Sequence, residues 1–229
     1  RSPLLASSAA SDVYKRQIQS RLIVFLDYEC GQQLQEHQKC CRQSGRNYRM
    51  SIKGIYDIHC HIVPGVDDGA TDIGETVKLL RMEYEQGVRT VIATPHFRFR
   101  MFETPAEKVR EQFRLVEKAA SEISPDLHVY LGCEFHANME MLPMLREQKV
   151  MTMAGSRYVL TEFSHNSEES YMRERLGALL SGGYKPIMAH IERYEATRNS
   201  LDFVEELADM GVYMPVSYTH LTLPTKLEV

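Results

Sequence analysis

The sequence predicts an α/β chain of repeated β-α units with parallel strands, on three observations. Apolar, β-branched runs alternate with segments whose apolar residues recur at helical spacing. Five of these runs end in a histidine or an acid: Ile52 to His59, Thr90 to His96, His128 to Glu134, Arg157 to Glu162 and Lys185 to His190. Chemistry-bearing groups at the C-terminal ends of parallel strands are the arrangement of a β/α barrel. The first run also leads into Asp57-Ile-His59-Cys-His61, followed by Gly65-Val-Asp67-Asp68-Gly69. Residues two apart on a strand share a face, so His59 and His61 aim two imidazoles into one pocket.

The elements follow in order. After the first strand, Thr71-Asp72 caps a helix through Gln86 that buries Val77, Leu80 and Tyr84, and Gly87 ends it. The His96 strand comes next. A polar loop, Phe97 to Glu103, leads to Thr104 as helix cap and Pro105 at the first helical position. That helix runs to about Ser121 with Val109, Phe113, Val116 and Ala120 spaced for burial. The Glu134 strand precedes a shorter helix near Met139 to Gln148. The Glu162 strand precedes a helix near Glu169 to Leu180, which Gly182-Gly183 closes. The His190 strand leads to a last helix near Leu201 to Met210. Such β-α repetition requires right-handed crossovers between parallel strands.

Neutral imidazole ligates Zn, Mn or Fe, and carboxylates add hard-metal character, so the recurrent His and acid ends read as a metal-dependent hydrolase. Asp67 reads as a turn or capping aspartate, and His136 and His165 as structural histidines near the ligand candidates. Arg98 and Arg100 sit in the loop after His96, where they face either a phosphorylated substrate or solvent. One decoy is rejected. Cys40 and Arg46 fit the Cys-x5-Arg spacing of cysteine-dependent tyrosine phosphatases. That loop works only between a strand and a helix N-terminus, which lower the thiol pKa and bind phosphate, and neither flanks it.

Composition narrows the classes. The chain has 229 residues and a net charge of −4. No basic block suggests nucleic acid, and no apolar run has transmembrane length. Three of five cysteines (Cys30, Cys40, Cys41) precede Met50, which leaves Cys60 and Cys133. Two cysteines imply no disulfide framework, and a reducing cytoplasm is the expected location.

The two ends read as translated DNA adapter. Ser7 to Gln17 and Val216 to Thr225 are encodable by opposite strands of one DNA element, which resembles a transposase adapter used in preparing sequencing libraries. The expected organisation is therefore an artefact at 1–17, upstream read-through or extension at 18–49, a domain at 50–214 and an artefact at 215–229. Met50 is the expected natural start, and the domain is expected to be cut near Met214. Both tails are expected to pack little against the core, and His220 is set aside as a ligand.

With these residues in view, 50–214 resembles the polymerase-and-histidinol-phosphatase (PHP) superfamily, and within it the bacterial capsule-biosynthesis protein-tyrosine phosphatases. The resemblance is carried by Asp57 to Gly69, Thr94-Pro-His96, Met101-Phe-Glu-Thr-Pro105, Ser156-Arg-Tyr158, Glu162-Phe-Ser164 and Ala189-His-Ile-Glu-Arg-Tyr194, in that order. Met101 to Pro105 and His190 to Arg193 are not general features of the superfamily. The resemblance implies a distorted seven-stranded β/α barrel, here partial with its first five or six strands, and a cluster of up to three metal ions, manganese with iron or zinc as alternatives. It implies His59 and His61 on the first metal, Glu134 bridging first and second, Glu162 and His190 on the second, and Asp68 and His96 on the third. Arg193 resembles an arginine that holds substrate phosphate, and Arg98 is a further candidate. A late Ser-Asp-x-His block and a second late phosphate-binding arginine of the family are not found in this sequence.

The function implied is hydrolysis of phosphotyrosine on a bacterial tyrosine autokinase in capsular or exopolysaccharide biosynthesis. A histidinol-phosphate-type small-molecule phosphatase is the rival within the superfamily. An inactive truncated fragment is the rival outside enzymology. No nucleic-acid partner and no membrane insertion are expected.

Overall fold

A computed structural model describes residues 54–215. The expectations for 1–17, for 18–49 with its cysteines and the Cys40 loop, and for the tail from 216 on lie outside these residues. So does the proposed start at Met50.

Seven strands lie among the described residues: β1 (Ile55–Cys60), β2 (Val88–Ala93), β3 (His96–Phe97), β4 (His128–Leu131), β5 (Glu134–His136), β6 (Tyr158–Glu162) and β7 (Lys185–Met188). They form two sheets, ordered β1-β2-β4 and β3-β5-β6-β7. Every pairing is parallel. The helices are α1 (Ile73–Glu85), α2 (Ala106–Ile123), α3 (Met141–Arg146), α4 (Glu169–Ser181), α5 (Glu195–Asn199) and α6 (Leu201–Asp209). The α/β class with parallel strands is thus as expected.

Two strands differ from expectation. The runs ending in His96 and Glu134 are each broken in two, at Thr94-Pro95 and at Gly132-Cys133. Pro95 has no N–H to give a ladder. Gly132 sits where a Cβ would lie 2.9 Å from Met153 Sδ and 3.1 Å from Ile92 Cγ2. Hydrogen bonds still run across both breaks: Thr94 N to Cys60 O at 2.7 Å, Gly132 N to Ala93 O at 2.7 Å and Glu134 N to Pro95 O at 3.0 Å. β2 thereby hands over to β3, and β4 to β5, carrying the chain from one sheet into the other. Beyond β7, Tyr213 pairs in parallel with Ile187.

Helix packing builds the core. Asp72 caps α1, its side chain accepting from Glu75 N, while Thr71 donates to Glu75 in return. The buried stripe of α1 is Thr76, Leu79, Leu80 and Glu83. Val77 and Tyr84 pack at its edge, so the face is rotated from the expected one. α2 buries Val109, Phe113, Val116 and Ala120 as expected. Thr104 does not cap it; its hydroxyl donates to Val66 O at 2.8 Å and ties the preceding loop down. α4 and α6 supply Met172, Leu176, Leu179, Phe203 and Leu207 to a second cluster around β5, β6 and β7. A third layer, Ile58, Met153, Leu160, Ile187 and Ala189, joins strands of both sheets. Fully burying one such aliphatic side chain contributes roughly 1.5–3 kcal/mol. Among the described residues, no helix is long and apolar enough to cross a membrane.

Candidate metal centre

The strand breaks put the chemistry in place. His59 is the penultimate residue of β1, and His61 follows the strand. His96 opens β3 directly after the break, and Glu134 opens β5 in the same way. Glu162 ends β6, and His190 follows β7. His96 stands opposite Glu134 in the ladder, and His136 opposite Glu162. His59, His61, Glu162 and His190 thus lie at or just past the C-terminal ends of β1, β6 and β7, and His96 and Glu134 lie just past the ends of β2 and β4, where the chain passes into the second sheet.

Glu134 is the hub and is fully buried. Its Oε2 lies 2.9 Å from His59 Nε2, 3.1 Å from His61 Nε2 and 3.3 Å from His96 Nδ1. Its Oε1 lies 3.2 Å from His190 Nε2. Glu162 Oε2 is 3.9 Å from His96 Nδ1, and Asp68 Oδ1 is 3.7 Å from His96 Nε2. Three sets of potential ligand atoms converge within 4.8 Å: His59-His61-Glu134, His61-Asp68-His96 and His96-Glu134-Glu162. The first set contains the trio that the resemblance assigns to one ion. The other two differ in detail: His96 joins Glu134 and Glu162, while His190 approaches Glu134 through its other oxygen.

The donor set fits metal ions. His96 Nδ1, both Glu134 oxygens, Glu162 Oε2 and His190 Nδ1 are buried, and none has a well-formed hydrogen bond. Buried polar atoms are normally satisfied, and orphans grouped around one carboxylate point to an ion as their partner. Mixed imidazole and carboxylate ligation suits Mn, Fe or Zn.

Local geometry holds the ligands. His190 adopts a left-handed conformation (φ 53°), which turns the chain sharply out of β7. Tyr194 is buried; its hydroxyl donates to Ala189 O at 2.6 Å and accepts from Phe163 N at 3.1 Å. It thereby clamps the residues next to His190 and Glu162. Asp67 is more than a turn residue. One oxygen accepts from Gly69 N at 2.9 Å; the other accepts from His96 N at 2.9 Å and meets His61 Nδ1 at 2.8 Å. A carboxylate on the far nitrogen of a ligating imidazole fixes its orientation. Gly69 makes the close turn possible: a Cβ there would strike the His61 carbonyl and lie 2.5 Å from His61 Cβ.

Charges in the cluster are strongly coupled. Burial opposes ionisation of Glu134, but the close imidazoles of His59, His190 and His61 hold its carboxyl well below the usual range. Burial also works against a charge on His61, yet the bonds to Asp67 and Glu134 raise it well above the ordinary value. Burial and the Glu134 charge push Glu162 up to about 7, against Arg98, His61 and Arg193. Burial lowers His59 and His96.

The remaining candidates lie at the margin. Arg193, half-exposed, follows His190, and its charge acts on Glu162. The Arg98 charge acts on both Glu162 and His136. His136 meets Ser164 Oγ at 3.2 Å, and burial, then Arg98, lowers it to about 4. His165 is 61% exposed and stands outside the cluster. Cys60 and Cys133 are both buried. Burial, then Glu134, raises the Cys133 thiol well above its ordinary pKa, unlike a nucleophilic cysteine. Sequence reasoning passed over the Asp67 contact to His61 and the Tyr194 clamp. The paired aspartates before Gly69 were the available signal for the first, and the tyrosine closing the His190 block for the second.

A parallel α/β fold with buried histidines and carboxylates gathered at its strand ends defines a candidate metal-centre protein. Residues 55–222 match the family described as capsular polysaccharide synthesis, CpsB/CapC, and the chain belongs to that family. It is 41% identical over 170 residues to the tyrosine-protein phosphatase CpsB of Streptococcus pneumoniae, covering 74% of this chain and 70% of that one. It is 32% identical over 157 residues to the tyrosine-protein phosphatase YwqE of Bacillus subtilis, covering 69% and 62%. Among solved structures, those of YwqE from B. subtilis and CpsB from S. pneumoniae, described as unique metal-dependent tyrosine phosphatases, provide a chain that superposes with a TM-score of 0.65 at 31% identity. That match covers 70% of this chain and 65% of the solved one.

Proposed function

We propose that this protein is a metal-dependent protein-tyrosine phosphatase. Its substrate is phosphotyrosine on a bacterial autokinase of polysaccharide export, and its setting is capsular or exopolysaccharide biosynthesis in the cytoplasm. The observation that carries the reading is the Glu134 carboxylate, buried among four imidazoles with both oxygens lacking well-formed hydrogen bonds. Family membership and relatives named as tyrosine phosphatases support it.

In this reading His59, His61 and Glu134 hold one metal; Glu134, Glu162 and His190 a second; and Asp68 and His96 a third. Manganese is the proposed ion. Bound divalent metals polarise phosphoryl oxygens, lower the pKa of water and stabilise the leaving oxygen, the help a very slow phosphate-monoester hydrolysis needs. Asp67 keeps the His61 ring oriented. Arg193 receives the phosphate through a planar guanidinium, which suits bidentate contact, and Arg98 assists from the opposite loop. The five-position run of parallel strands, with Tyr213 beginning a sixth, is read as part of a seven-stranded barrel.

The test is phosphate release from a phosphotyrosyl peptide and from histidinol phosphate, with manganese. Faster turnover of the peptide, abolished by EDTA and indifferent to iodoacetamide, is expected. Preference for histidinol phosphate would overturn the substrate class. Loss of activity on thiol alkylation would overturn the metal mechanism.

A further inference from the structure

Between His96 and Glu103 the chain forms a tight finger. Arg98 and Phe102 pair antiparallel. Arg98 N donates to Phe102 O at 2.9 Å and Phe102 N to Arg98 O at 2.8 Å. Arg100 at the tip is left-handed (φ 62°), and its N–H donates to Glu103 Oε1 at 2.8 Å. The Thr104 bond to Val66 anchors the base. Held this way, the finger is a built feature and not a slack loop.

The base of the finger is part of the metal centre. The Phe102 ring stacks on His96, with centroids 5.3 Å apart and 11° between planes. The Arg98 charge reaches Glu162 and His136. The outer part of the finger is apolar. Phe99 is 45% exposed and Met101 59% exposed. Phe99 rests edge-on against Phe97, with centroids 5.7 Å apart, which holds its ring in place. Met139, on the loop that leaves β5 from the same end of the strands, is 65% exposed. Single exposed apolar residues are ordinary; several on loops around one polar centre mark a contact surface. The Arg98 and Arg193 charges both act on Glu162 at this end of the strands, and Arg100 adds a third cation at the finger tip, which complements an acidic ligand.

We propose that the finger docks the peptide that carries the phosphotyrosine, with Phe99 and Met101 covering an apolar residue beside it and Arg100 facing an acidic one. This rests on the phosphatase reading and extends it from the ester to its surroundings. A small aryl phosphate reaches the metal centre without touching the finger tip, whereas a peptide lies across it.

The experiment compares wild type with the Phe99→Ser/Met101→Ser double variant, both loaded with manganese. One substrate is a phosphotyrosyl peptide with leucine and glutamate beside the phosphotyrosine; the other is phenyl phosphate. Binding of the labelled peptide is read by fluorescence anisotropy, and hydrolysis by phosphate release. The double variant should bind the peptide at least about fivefold more weakly, since truncating a contact residue that matters costs that much or more. KM for the peptide should rise with kcat unchanged, and phenyl phosphate kinetics should stay as in wild type. Arg100→Glu should also weaken the peptide and leave phenyl phosphate alone. Equal losses on both substrates, or no loss on the peptide, would overturn the finger's role. Wild type that binds the peptide but hydrolyses neither ester would overturn the phosphatase reading alone, because the anisotropy comparison still reads the finger. Wild type that neither binds nor hydrolyses would overturn both.

Discussion

Asp67 shows how much one side chain settles. Its two oxygens close the turn through Gly69, receive the His96 N–H and steady the His61 ring. Replacing it with Asn keeps the shape but removes the charge opposite His61. Loss of such a partner lowers metal affinity about 10–100-fold. Asp67→Asn should therefore need that much more manganese for half-saturation, measured by calorimetric titration, while its fold stays intact by circular dichroism. Unchanged affinity would reduce Asp67 to a turn residue. Tyr194 is the counterpart on the other side. Tyr194→Phe leaves Phe163 N and Ala189 O buried without their partner, at a cost of about 1–3 kcal/mol per orphaned group. Urea unfolding should show a loss of about 2–6 kcal/mol for the two groups together, and no change in midpoint would refute the clamp. At this scale the gathering of strand-end histidines and acids was legible, because such groups recur at the ends of apolar runs. The role of Asp67 was hidden because the same carboxylate is what any tight turn prefers.

At the scale of elements, the interruptions matter more than the strands. Thr94-Pro95 and Gly132-Cys133 bring His96 and Glu134 to the start of new strands, facing one another across the ladder. The sequence reads through both interruptions because apolar runs lead up to Ala93 and Leu131 and hydrogen bonds continue across each break. Proline and glycine were visible, but nothing local says that the strand resumes in another sheet. Thr104 was misread for a related reason: threonine before Pro105 has the pattern of a cap, and only the tertiary position of Val66 draws its hydroxyl away. The exclusion of a side chain at Gly132 is testable. Gly132→Val would press on Met153 and Ile92. Overpacking of this kind costs typically about 1–3 kcal/mol. The variant should unfold at lower urea with an unchanged slope, and equal stability would show that the break has room to spare.

For the whole molecule, two helix-covered clusters and a layer joining strands of both sheets hold the strand ends together. The Glu134 cluster is a weak point of this assembly, since its buried oxygens lack well-formed hydrogen bonds. An ion that binds only the folded chain adds stability by mass action, roughly 2.7 kcal/mol at a hundred times its dissociation constant. Manganese should raise the melting temperature, and EDTA should reverse the rise. A melting temperature insensitive to both would argue that the cluster is purely structural. The main alternation of strand and helix was legible, because it depends on local periodicity, but the two strand breaks and the short α5 were not. The division into two sheets was not, because it depends on contacts between residues far apart in sequence. The central claim is that Glu134 organises a metal centre that hydrolyses phosphotyrosine. Its most direct test is metal content by mass spectrometry, measured with phosphotyrosyl-peptide turnover on the same samples of wild type and Glu134→Gln. Wild type should bind more than one manganese per chain and turn over the peptide, while the variant loses bound metal and activity together. Full metal content and undiminished turnover in Glu134→Gln would contradict the account.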